Sequence, residues 1–70
     1  MNTYNNIVRT FTEEGKVIYE TKFKTAEEAY EEYVGIIDNW KNYGVPGRTL
    51  RAGRFVDNDM MTFEKVVCDK

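Results

Sequence analysis

The sequence predicts an α+β domain of order ββαββ: a four-stranded antiparallel sheet with one amphipathic helix packed on one face. Three observations lead there. Residues 6–23, NIVRTFTEEGKVIYETKF, hold two β-branched and aromatic runs around a turn. Residues 25–44 carry a helix start, a helical apolar period and a stop. Residues 48–56, RTLRAGRFV, and 60–68, MMTFEKVVC, form a second strand pair around Asp57-Asn58-Asp59. Two strand pairs separated by one helix close most simply as a single two-layer unit. The 70 residues make one domain, 1–70. A chain of this length buries only about 60% of its unfolded surface, so its core is thin.

In the first pair, Ile7, Val8 and Phe11 precede the turn, and Val17, Ile18, Tyr19 and Phe23 follow it. Gly15 can supply the left-handed residue of a three-residue loop with a bulge. Pairing Thr12 with Lys16 puts Phe11 opposite Val17 and Ile7 opposite Thr21. The residues Ile7, Phe11, Val17, Tyr19 and Phe23 then share one face, the expected core face. Arg9 falls on that face too, which requires an edge position or a slip of register.

The helix starts at a capping box, Thr25-Ala26-Glu27-Glu28, in which the Thr25 hydroxyl accepts from the N–H of Glu28 and the Glu28 carboxylate reaches back. Ala26, Ala29, Tyr30, Tyr33, Ile36, Ile37 and Trp40 fall on one apolar arc with Val34 at its edge. Gly44 stands where a left-handed C′ residue belongs, and Pro46 follows. In the second strand pair, Gly53 suggests a bulge or a close backbone approach. Two- and three-residue loops give that pair different faces, so its register stays open.

The residue inventory argues against an enzyme. His is absent, which removes the commonest general base and transition-metal ligand. Ser is absent as well, and the single Cys68 has no His to activate it. Asp57-Asn58-Asp59 resembles the start of a calcium loop, but the central Gly and the later ligands are missing, and the same residues suit a tight turn. No cofactor and no metal are therefore expected. One cysteine cannot form an internal disulfide, which fits a reducing cytoplasm. No apolar run is long enough to cross a bilayer, and no signal-peptide pattern opens the chain.

What remains is charge. The net charge of −2 conceals a polarised layout: residues 1–38 hold eight acids against four cations, and residues 39–70 hold six cations against four acids. On the helical wheel Glu27, Glu28, Glu31, Glu32 and Asp38 occupy the arc opposite the apolar one, with no cation among them. Glu27/Glu31 and Glu28/Glu32 are like-charge pairs, each costing roughly 0.2–0.5 kcal/mol, which the helix dipole offsets only near the first turn. From residue 27 to 38 a helix rises about 16 Å, so the five carboxylates average one per ~3.3 Å. A DNA strand carries one phosphate per ~3.4 Å. A second feature is cationic: Lys41, Arg48, Arg51 and Arg54 stand between Asp38 and Asp57 with no acid among them.

A short, cysteine-poor chain bearing EEAYEEY and Asp38 on one helix face resembles the small phage-encoded proteins that disable host machinery, some of them by mimicking DNA. The resemblance rests on size and charge layout rather than on a diagnostic motif. It implies a non-enzymatic inhibitor in a bacterial cytoplasm that engages a basic host protein, nucleoid-associated or otherwise DNA-binding. The expected contact residues are Glu27, Glu28, Glu31, Glu32 and Asp38, with Glu13 and Glu14 at the hairpin tip adding charge. The alternative is a small nucleic-acid-binding module using Lys41, Arg48, Arg51 and Arg54. The surplus of aromatic residues and the last strand also allow a homodimer, which is compatible with either reading.

Overall fold

The computed structural model describes residues 4–68. The expected elements are present in the expected order: β1 (Asn6–Phe11), β2 (Val17–Phe23), α1 (Ala26–Tyr43), β3 (Thr49–Val56) and β4 (Asp59–Val67). The four strands form one antiparallel sheet of order β2-β1-β3-β4. Because β2 and β3 both run antiparallel to β1, they are parallel to each other. A hairpin loop cannot join parallel strands, so α1 serves as the crossover and packs on one face.

The hairpin turn forms as its sequence demands. Thr12 N–H donates to the Lys16 carbonyl at 2.8 Å, and Gly15 takes φ +90°. Phe11 lies opposite Val17, as expected, but Ile7 lies opposite Lys22 and not Thr21. The reason is a β-bulge: Thr10 pairs with Tyr19, so Ile18 is an extra residue against Phe11. Past that bulge the register shifts by one and the predicted face splits. Tyr19 and Phe23 remain on the helix side with Val8 and Thr10, whereas Ile7 and Phe11 move to the other side. Arg9, the misfit in the expected core face, is thereby explained. It never belonged to the core side.

The core is correspondingly small: Val8, Ala52 and Val66 from the sheet against Ala29, Tyr33 and Ile37 from the helix, with Phe23, Ile36 and Trp40 packed around them. Ala29 and Ala52 are fully buried, and their small side chains let helix and sheet approach closely. The predicted apolar arc is wider than the buried one, since Tyr30 stays 57% exposed and Val34 43%. Both ends of the helix are satisfied. Thr25 Oγ1 accepts from Glu28 N–H at 3.2 Å and donates to Glu28 Oε1 at 3.1 Å.

At the other end Gly44 is not left-handed; it is extended, at φ −77°. Its N–H donates to the Trp40 carbonyl at 2.9 Å. Glycine is needed for space: a Cβ there would lie 2.5 Å from the Trp40 ring. The left-handed residue is Gly47, at φ +78°.

The β3–β4 turn is a two-residue loop, Asp57-Asn58, closed by Val56 opposite Asp59. Asp57 takes φ +56°, which Asp tolerates. The bulge in this pair is not at Gly53 but at Met61, between the Arg54–Thr62 and Phe55–Met60 pairs. Gly53 answers instead to close approach, because a Cβ would lie 2.8 Å from the Phe55 ring. Both bulges fall on edge strands, where they disfavour pairing with another sheet.

Candidate functional site

A two-layer fold has two outer surfaces, the back of the helix and the uncovered face of the sheet. They carry opposite charge. The outer helix arc presents Glu27, Glu28, Glu31 and Asp38 to solvent. Glu32 lies at the flank toward β2, where it accepts from the Tyr19 hydroxyl at 2.6 Å. That bond holds the Tyr19 phenol above the usual tyrosine range. Glu28 is engaged in the helix cap. Of the arc's carboxylates, Glu27, Glu31 and Asp38 make no side-chain hydrogen bond or ion pair to another described residue.

Glu13 and Glu14 do not join this surface. They stand at the hairpin tip, beside the C-terminal end of the helix, where Glu13 lies 3.6 Å from Arg48. Glu27 and Glu28 are at the N-terminal end, and an 18-residue helix is about 27 Å long. The expected acidic set is thus spread along the molecule, from Glu27 and Glu28 at one end of the helix to Glu13 and Glu14 beside the other.

The cationic segment fares similarly. Lys41 is on the last turn of the helix, its carbonyl accepting from the Cys68 thiol at 3.5 Å. Arg48 precedes β3 and faces Glu13. Arg54 pairs with Val8 and Thr62 on the helix side of the sheet, near the Tyr33 hydroxyl. Only Arg51 reaches the uncovered face. The four cations occupy four different places, because a strand sends neighbours to opposite sides and the loop before it sends Arg48 elsewhere.

Arg51 nevertheless has company that proximity in sequence does not reveal. The three registers set the uncovered face out in rows. One row reads Lys22, Ile7, Phe55, Met60; the next Glu20, Arg9, Gly53, Phe63; the third Val17, Phe11, Arg51, Lys65. Phe11 lies with its ring centroid 5.7 Å from that of Phe63 and 6.4 Å from that of Phe55. Gly53 leaves room beneath those rings. They shelter Ile7 and leave Phe63 40% exposed.

Among the described residues, four cations stand around the rings, Lys22, Arg9, Arg51 and Lys65, against the single acid Glu20. Arg9 Nε donates to Glu20 Oε2, and its guanidinium carbon lies 4.8 Å above the Phe55 ring. The Arg9 partner holds the Glu20 carboxyl below its ordinary value. Arg51 and Lys65 are directly opposite each other, an arrangement that disfavours folding. Among the described residues no carboxylate pairs with either, and the buried Nε of Arg51 has no hydrogen-bond partner.

Arg9, Lys22, Lys65 and the three phenylalanines come from four strands, so the sequence does not show them as a group. The one sequence signal was Arg9, a charge in an otherwise apolar alternation.

Between the helix and the hairpin an apolar cleft of about 240 Å³ is lined by Thr10, Tyr19, Ile36, Asn39, Trp40 and Leu50. Tyr19 is its only titratable group, and it is already bonded to Glu32. Among the described residues there is no group of three or more His, Cys, Asp or Glu placed to hold a metal ion. No helix among them is long and apolar enough to cross a membrane. In comparisons with known proteins, no family model, no curated protein and no solved structure matches the chain.

Proposed function

We propose that the protein is a non-enzymatic binding module whose uncovered sheet face holds a polyanion. One observation carries this reading: among the described residues, Arg51 and Lys65 stand side by side, unpaired, on a face whose only carboxylate is already taken by Arg9. Folding alone would favour a carboxylate at position 65, so an external anion is what completes the arrangement. This keeps the nucleic-acid class of partner expected from Arg51 but changes the surface, from the segment 41–54 to the sheet. The free thiol of Cys68 is consistent with a reducing, cytoplasmic setting.

The test is titration with heparin or inorganic polyphosphate, followed by amide chemical shifts at low and moderate salt. Shifts centred on Arg51, Phe63 and Lys65 that shrink with salt support the proposal. Binding that survives Arg51→Gln with Lys65→Gln, or no binding at low salt, overturns it.

A second reading is favoured by the outer helix arc, which runs from Glu27 to Asp38 without a cation. On this reading the carboxylates engage a basic, DNA-binding protein, as a phage-encoded inhibitor would. Glu28 and Glu32 are poor test positions because they cap the helix and hold Tyr19. Glu27→Lys with Glu31→Lys removes the charge without touching either bond. Capture of basic proteins from bacterial lysate should then disappear, and capture unaffected by the exchange would sink this reading.

A further inference from the structure

The polyanion can be named by class from what surrounds the cations. We infer that it is a single-stranded nucleic acid whose bases stack on Phe63 and Phe11 while its phosphates meet Arg51, Lys65 and Lys22; the inference rests on the proposed role of the sheet face. The cations alone would serve any polyanion. The rings would not. Phe11 and Phe55 stand on the two central strands, Phe63 on their neighbour, and all three are on the cationic side of the sheet. A stacking surface within a basic surround is the combination that holds unpaired bases, since every base offers a π-face.

The alternatives fit less well. A duplex presents phosphates and groove edges, leaving the rings without a partner. An acidic peptide would neutralise the cations but has no flat group for Phe63, which is 40% exposed at the outer end of the cluster. A second copy docking by the same face would bring two cationic surfaces together.

Gly53 contributes as well. It lets the Phe55 and Phe63 rings lie over the strand, where a Cβ would push against both at 2.8 and 3.2 Å. Arg9 differs from the other cations. Held by Glu20 and the Phe55 ring, it is a fixed border to the surface rather than a free contact. The phosphates are left to Arg51, Lys65 and Lys22.

The experiment is fluorescence anisotropy on the full chain with four labelled probes. They are a twelve-nucleotide oligo(dT), an abasic oligomer with the same number of phosphates, a duplex of equal length and an oligoglutamate of equal charge. Oligo(dT) should bind most tightly, with the abasic oligomer at least tenfold weaker. Phe63→Leu keeps the apolar packing and removes the ring. It should weaken oligo(dT) by about tenfold, the order expected for one stacked base, and leave the abasic oligomer unchanged. Amide spectra confirm that this variant is folded, and Phe63→Tyr should restore binding.

Equal affinity for oligo(dT) and the abasic oligomer would overturn the inference and leave the polyanion reading standing. So would a duplex or oligoglutamate that binds as tightly as oligo(dT). Absence of binding by all four probes would overturn both.

Discussion

The outer helix and the uncovered sheet face differ in how the chain builds them, and the difference decides what can be read in advance. The helix face is local. Glu27, Glu31 and Asp38 are brought together by a period that any helix has. The sheet face is assembled from Arg9, Lys22, Arg51, Phe55, Phe63 and Lys65 by three strand registers, two of which contain a bulge. Each face also tolerates like charges that folding disfavours: Glu27 near Glu31 on one, Arg51 opposite Lys65 on the other. A sequence reading sees the first cost and misses the second.

The largest expected effect separates the two surfaces by sign. Gly53→Val forces the Phe55 ring aside and should destabilise by about 1–3 kcal/mol. A domain of this size loses about 4–8 °C in melting temperature per kcal/mol. Gly35→Ala, on the acidic arc with nothing within 4 Å, should instead stabilise by roughly 0.5–1 kcal/mol. Thermal unfolding followed by circular dichroism measures both. If Gly53→Val proves neutral, the rings do not lie over that strand as described.

The next effect tests what joins the two surfaces. Tyr33, 2% exposed, donates to Glu64 on β4 at 3.0 Å, while Tyr19 on β2 donates to Glu32. Burial pushes the Tyr33 hydroxyl up, opposed by a hydrogen bond with Thr62 and reinforced by the one to Glu64; the bond to Glu32 raises Tyr19. A raised folded value means that the folded state holds its proton more tightly than the unfolded chain does. The stabilisation is present below the ordinary tyrosine value, about 10, and is lost as pH rises through the folded values. Urea midpoints should therefore fall between pH 9 and 11 by more than in a Tyr19→Phe, Tyr33→Phe variant, which lacks both ionisations. Parallel curves would show that neither hydroxyl is coupled to folding.

The smallest effects sharpen the charge comparison. Glu31→Lys should stabilise by about 0.2–0.5 kcal/mol by converting a repulsive helix pair into an attractive one. Lys65→Glu should stabilise by about 0.2–1 kcal/mol by giving Arg51 a partner. Chemical denaturation at low salt reads both gains, and added salt should shrink them. A loss of stability in either variant would mean that the existing charge has a partner in the fold.

The elements were legible because their signals are short-range. Thr25 with Glu28 marks the helix start, Gly15 the first turn, and Asp57-Asn58 the second. The faces were not, because a bulge adds a residue without a distinctive composition. Val17-Ile18-Tyr19 reads as ordinary strand, yet Ile18 inverts the relation between everything before and after it. Gly44 departs from the left-handed expectation for a different reason. Its need for glycine comes from the Trp40 ring folding over it, a contact that the spacing of the two residues does not announce.

The two bulges also bear on descent. Ile18 and Met61 are each the surplus residue of an edge strand, and both are exposed. Deleting either one would leave every neighbouring pair matched and every side chain on its present face. Deleting any other residue in the middle of those strands would exchange inside for outside. Lineages sharing this fold are therefore free to differ in length by one residue at these two points. An alignment that forbids gaps there would match the residues of one face to those of the other.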